Sequence, residues 1–127
     1  MNKVTTKCTT LMPRIDEIHE SLGSARYFSC IDTHSGFWQI PVKEEDQIKT
    51  SFTTPSGSYS FQRTPFGLFG SPNTFCKTMS CLFTNVIGKY AHIYLDDLIV
   101  YSTDFKNHII HLEEIFKIYE KSGIKLF

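Results

Sequence analysis

Three aspartates carry the chemistry this sequence could perform. Asp96 and Asp97 sit side by side between two apolar runs, 90–95 and 98–101, and Asp32 ends a third, 27–31. Adjacent carboxylates in the tight turn of an apolar hairpin repel each other and resist burial. Their ionised forms need a counter-charge, or a pKa rises. Taken alone, the pair Asp96-Asp97 reads as an ordinary acidic turn in solvent, and Asp32 as a strand-end turn residue. If the strand ending at Asp32 pairs beside the hairpin, three carboxylates converge at one end of a sheet. Hard cations such as Mg²⁺ take such oxygen ligands. Two of them about 3.5–4 Å apart stabilise both the attacking and the leaving oxygen of a phosphoryl transfer.

The elements that must position these residues follow from periodicity and turn chemistry. Residues 1–13 are polar and aperiodic, an extended lead-in. Ile15, Ile18 and Leu22 lie on one face of a short helix over Arg14 to Leu22, stopped by Gly23. Tyr27 to Ile31 reads as a buried strand, and Asp32 to Gly36 as a turn. Phe37 to Pro41 is a short apolar segment that Pro41 keeps from being a long central strand. Lys43 to Gln47 reads as a helical turn. Thr50–Thr54 and Ser58–Phe61 flank Pro55-Ser56-Gly57 as a hairpin.

Ser71-Pro72 predicts a helix start, Ser as N-cap and Pro first in the helix, with Gly88 closing it. Tyr90–Leu95 and Leu98–Tyr101 form a tight hairpin turning at Asp96-Asp97. Phe105, Ile109, Leu112, Phe116 and Tyr119 mark the core stripe of a last helix, capped near Thr103 and ended by Gly123. The fold class is α+β: an antiparallel sheet with helices packed on one face.

Composition bounds the answer further. With 127 residues the chain makes one small domain, and 41% hydrophobic with 20% charged residues is ordinary globular composition. Thirteen Lys and Arg balance thirteen Asp and Glu, which is unlike a stand-alone nucleic-acid binder. The four cysteines, Cys8, Cys30, Cys76 and Cys81, form no C-x-x-C pair and read as reduced thiols. No signal peptide or membrane span is expected, so the reading is a soluble intracellular protein, nucleus or cytoplasm unresolved.

Against this frame the motifs fall in a recognisable order. Tyr94-Leu95-Asp96-Asp97 resembles the Y-x-D-D signature of reverse transcriptases. Leu11–Ile18 resembles the P-x-P-R-I-D-E stretch of gypsy-type LTR retrotransposons, and Phe28–Ile40 their F-S-x-L-D-L-x-S-G block. Lys49–Pro55 is similar to K-T-A-F-x-T-P. Phe66-Gly67-Leu68, with Ser71-Pro72 and Thr74-Phe75, is similar to F-G-L-x-N-A-P-x-T-F. Departures are Gly70-Ser71-Pro72-Asn73 for N-A-P-A, Cys76 for Gln, Thr64 for an apolar residue and Thr33 for Leu. None removes an expected metal ligand.

The resemblance implies the palm core of an RNA-directed DNA polymerase, whose primer 3′-hydroxyl attacks the α-phosphate of a dNTP. It implies that Asp32 and Asp96 hold two Mg²⁺ or Mn²⁺ ions with Asp97 assisting, and that the Thr33 carbonyl adds a backbone ligand. Phe37, five residues after Asp32, falls at the family's sugar-selecting aromatic position, where a ring excludes a 2′-hydroxyl. The plain alternative is a core Phe. Phe66 and Gly67 align with the loop bordering the nucleotide. Gln39 and Arg63 are template or nucleotide contacts, or solvated surface residues. Tyr94 packs near the primer terminus, or is a buried strand aromatic. His108, His111 and Glu114 read as a solvated helix face rather than a metal site.

Implied partners are an RNA or DNA template with primer, dNTPs and further polyprotein domains such as fingers, thumb and RNase H. Residues 1–127 are expected to form a partial domain, a fingers remnant with the palm, lacking the N-terminal fingers strands and the thumb. A truncated or co-opted remnant without activity of its own is the rival reading.

Overall fold

A computed structural model describes residues 22–94 and 96–127 of the chain. The expected helix over Arg14–Leu22 lies outside that range except for Leu22, as do the lead-in before it and Leu95.

The principal sheet has three antiparallel strands in the order β1-β5-β4: β1 (Tyr27–Asp32), β5 (Asp97–Ser102) and β4 (Ala91–Tyr94). β5 is central because it can bury both faces. Leu98 and Val100 are fully buried, and Tyr101 nearly so. β1 is less buried than the sequence suggested, with Phe28 52% exposed. It pairs with β5 alone among the described strands, so only its inward residues meet the core.

Side chains alternate across a sheet, so the register assigns its two faces. Leu98, Val100 and Ser102, with Ile93 and Ala91 opposite, face the helices. Asp97, Ile99 and Tyr101 face the other way. The core joins that inner face to Phe75, Met79 and Phe83 of α3 (Ser71–Leu82) and to Ile115 and Tyr119 of α4 (Phe105–Ser122). This is the expected α+β layering.

Between β1 and α3 the chain makes α1 (Gly36–Gln39), α2 (Glu44–Gln47), a 3₁₀ turn (Ile48–Thr50) and a hairpin of β2 (Phe52–Thr54) and β3 (Gly57–Tyr59). α1 is a single helical turn where the sequence showed only a short apolar run. A run of that length carries too little periodicity to separate helix from strand. α3 starts one residue earlier than expected, with Gly70 as N-cap and Ser71 inside. The Ser71 hydroxyl instead donates to the Pro65 carbonyl at 3.0 Å. α3 also ends at Leu82, and turns carry the chain to Gly88, which sits at φ 77°.

α4 is capped by Asp104, whose carboxylate accepts the Asn107 N–H at 3.0 Å, and closes at Gly123 with φ 73°. Its expected core stripe is rotated. Leu112 and Tyr119 meet the core as expected, but Phe105, Ile109 and Phe116 are about half exposed, and His108 and Ile115 are buried in their place. His108 and His111 are therefore not a solvated face. The Ser102 hydroxyl lies 2.9 Å from His108 Nδ1 and 2.8 Å from His111 Nδ1, and Ser29 Oγ lies 2.9 Å from His108 Nε2. Two serines on the inner sheet face satisfy polar rings that composition alone places in solvent.

Candidate functional site

The β1–β5–β4 register places Asp32, Asp97 and Tyr94 in one row. Asp97 is the direct partner of Asp32 on one side and of Tyr94 on the other. Directly opposed residues have Cβ atoms about 4.5–5.5 Å apart on the same face. The hairpin turn is thereby one residue earlier than the sequence indicated: Asp97 is the first residue of β5, and Asp96 belongs to the turn. That shift sets Asp97 beside Asp32 and leaves Asp96 at the tip.

The three aspartates are near enough to influence one another's charge. The Asp96 carboxyl is pushed up by burial and then by the charges of Asp97 and Asp32. Cys30, two residues before Asp32, is raised by burial and by the same two carboxylates, and Cys76 of α3 by burial and Asp96. Ion pairs among the described residues are Lys43–Glu45, Lys49–Asp46 and Lys117–Glu113, none of them touching the three aspartates.

In kind the donor set fits a hard divalent cation: carboxylate oxygens with no ion-pair partner among the described residues. In geometry it is open. Among the described residues no three His, Cys, Asp or Glu side chains are drawn together as a metal cluster. Like charges repel, so a cation would have to draw them together.

The loop after Asp32 is tightly built. Thr33 is buried and bridges Leu126, and the bridge's hydrogen bonds come from its neighbours: His34 N–H to the Lys125 carbonyl, and Phe127 N–H to the Asp32 carbonyl. The Thr33 carbonyl takes no part in that pairing. Ser35 adopts the left-handed conformation at φ 48°, turning the chain into α1. At Gly36 an added Cβ would lie 2.6 Å from the Phe75 ring, so glycine permits the close approach of α1 to α3.

The remaining predicted residues divide into two groups. Phe37 is 9% exposed and makes edge-to-face contacts with Phe66 at 5.1 Å and Phe75 at 5.5 Å. It belongs to the core cluster while touching the exposed Phe66, and Gly67 beside it has φ 85°. Tyr94 is 40% exposed at the end of the aspartate row, not buried.

Gln39 and Arg63 are occupied with backbone. Arg63 donates to the Gln39 carbonyl at 3.0 Å. The Gln39 amide donates to the His34 and Lys125 carbonyls and accepts the Lys125 N–H at 2.7 Å. Sequence reasoning missed this clasp, which joins residues 86 positions apart and leaves no local signal. The His108–Ser102–His111 network was also missed. Its signal was present, as small polar residues at inward positions of β1 and β5.

Comparison with known proteins gives a consistent answer. The family model for reverse transcriptase (RNA-dependent DNA polymerase) matches residues 1–126. The Retrovirus-related Pol polyprotein from transposon 412 of Drosophila melanogaster is 44% identical over 91% of this chain, which spans 9% of that protein. An RNA-directed DNA polymerase homolog of Oenothera berteroana is 36% identical, covering 91% of this chain and 83% of its own length. The Pol polyprotein from transposon gypsy is 37% identical over 84% of this chain and 10% of that protein. Among solved structures, the prototype foamy virus protease-reverse transcriptase (a CSH mutant) superposes with TM-score 0.84 at 26% identity, covering 98% of this chain and 17% of that one. The foamy viral enzyme in complex with double-stranded DNA gives 0.72 at 31% identity, over 79% of this chain and 19% of that one. The chain thus spans a small part of the Pol polyproteins it matches, and it belongs to the reverse transcriptase family, of the LTR-retrotransposon type.

Proposed function

We propose that this chain is the palm core of an RNA-directed DNA polymerase that adds deoxynucleotides to a primer 3′-hydroxyl. The observation that carries the reading is the single cross-strand row of Asp32, Asp97 and Tyr94, with Asp96 at the adjoining tip. Asp32 and Asp96 would hold two divalent cations, Mg²⁺ or Mn²⁺, with Asp97 assisting and the Thr33 carbonyl as a backbone ligand. When bound, the pair of cations supplies charge stabilisation to the attacking and leaving oxygens. The protein's own contribution is placement, which is most of the catalysis in such a transfer.

Tyr94, at the exposed end of the row, fits a wall against the primer terminus. Phe37, held edge-on by Phe66 and Phe75, fits a rigid floor for a deoxyribose, where a 2′-hydroxyl would meet the ring. Phe66 and Gly67 border that floor, and Arg63 would meet a template phosphate by releasing the Gln39 carbonyl. Template, primer, dNTP and the remaining domains of a polyprotein are the partners this reading requires.

The test is primer extension by a polymerase in which this palm replaces that of a related Pol polyprotein. Asp96→Asn should reduce dNTP incorporation at least about a hundredfold, because a neutral amide is a poor ligand for Mg²⁺. Near-normal extension by that variant would remove the assignment.

A further inference from the structure

The Gln39 side chain is placed to do more than solvate or contact a template. Its amide closes on Lys125 from both sides, donating to the carbonyl at 2.9 Å and accepting from the N–H at 2.7 Å. It also donates to the His34 carbonyl. The amide thus supplies one more rung to a short backbone ladder: His34 N–H to the Lys125 carbonyl at 3.1 Å, the Thr33–Leu126 bridge, and Phe127 N–H to the Asp32 carbonyl at 3.3 Å.

The rung matters because of what the ladder holds. Asp32 is the last residue of β1, fixed by β5 on one side through its pairing with Asp97. Residues 125–127 grip its other side. They can do so because Gly123 reverses the chain after α4, at φ 73°, and Ile124 and Leu126 pack against the core. Lys125, between those two, is exposed, and its backbone is held by polar bonds: the His34 N–H on its carbonyl, and the Gln39 amide on its carbonyl and its N–H.

We infer that Gln39 is a positioning residue: it clasps the segment leaving α4 onto the Asp32–His34 loop and so fixes the carboxylate of Asp32 for its cation. The inference rests on the proposed metal role of Asp32, but the clasp itself does not. It also makes the exit of α4 a mechanical link to the aspartate row.

The experiment compares the full chain with Gln39→Met, which keeps length and apolar bulk but cannot donate, and with Gln39→Glu, whose carboxylate can accept the Lys125 N–H but not donate to two carbonyls. Amide hydrogen exchange is read at His34, Lys125 and Phe127, and Mg²⁺ is titrated against the amide shifts of Asp32 and Asp97. Both variants should lose protection at His34 and Phe127 by about tenfold, although neither amide touches Gln39. Both should need about tenfold more Mg²⁺ for half-saturation, as when an outer partner of a metal ligand is removed. A residue that merely stabilised the fold would lower the unfolding midpoint and leave the Mg²⁺ requirement of the folded chain unchanged; that result overturns the inference. Unchanged protection at His34 and Phe127 in Gln39→Met overturns the clasp itself. If the unsubstituted chain shows no Mg²⁺ response at Asp32, the metal reading fails and the positioning role with it, while the exchange data still decide the clasp.

Discussion

Asp32 and Asp97 stand directly opposite each other across β1 and β5, two carboxylates in a cross-strand pair where proteins ordinarily place opposite charges. The relationship predicts a small, cation-dependent instability. In the absence of divalent ions Asp97→Asn should stabilise the chain by a few tenths to about 1 kcal/mol, limited because Asp32 is exposed. Millimolar Mg²⁺ should then raise the urea midpoint of the unsubstituted chain and leave the variant nearly unmoved. A variant less stable than the parent in EDTA would mean that the pair is not repulsive.

One substitution separates the core position of Phe37 from its proposed part in sugar selection. Phe37→Val removes the ring that meets Phe66 and Phe75 edge-on, at a cost of about 2–3 kcal/mol in unfolding free energy. In a polymerase carrying this palm it should also raise ribonucleotide incorporation relative to deoxyribonucleotide, measured as the ratio of kcat/KM values. A loss of stability with unchanged sugar discrimination would leave Phe37 as core alone.

The rotated stripe of α4 is tested by a paired truncation. Ile115→Ala should cost about 2–5 kcal/mol, since Ile115 is fully buried, whereas Ile109→Ala, at 49% exposed, should cost well under about 1. Equal losses in urea unfolding would restore the stripe read from the sequence.

That helix shows what the sequence could and could not reveal. The existence of α4, its cap region and its glycine stop are legible, and so are the β4–β5 hairpin and the three aspartates. The phase of the buried face is not, because apolar residues occupy more than one stripe. What selects the stripe is long-range: Ser29 and Ser102 satisfy His108 and His111 from the sheet. The one-residue position of the hairpin turn is similar in kind. Two adjacent aspartates look alike locally, and strand pairing, with Tyr94 of β4 and Asp32 of β1, puts Asp97 in a strand and leaves Asp96 in a turn. The Gln39 clasp depends wholly on the return of the chain after α4.

The imidazole network predicts a pH dependence of stability. His111 is stacked on Tyr90 at 3.8 Å and bonded to Ser102. Its pKa is pushed down by burial and then by His108, with Glu114 and Asp104 pulling the other way. A base whose folded pKa lies below its ordinary 6.5 takes up its proton first in the unfolded chain. Stability is therefore full above that value and is lost as pH falls through it toward the folded pKa. His92, also lowered by burial, adds with the same sign. Urea midpoints should fall between about pH 7.5 and about pH 5.5, and His111→Asn should flatten the decline. An equal decline in that variant would place the effect elsewhere.

The central claim, that Asp32, Asp96 and Asp97 together form a divalent-cation site, is tested most directly by paramagnetic broadening of backbone amides during a Mn²⁺ titration of the chain. The chain carries other acidic clusters, at Glu44-Glu45-Asp46 and Glu113-Glu114, which serve as internal controls. The account predicts that the amides of residues 32–34 and 96–98 broaden first and saturate, that both effects vanish in Asp96→Asn, and that the control clusters respond only at higher Mn²⁺. Broadening that begins at the control clusters, or that is unchanged by Asp96→Asn, would contradict it.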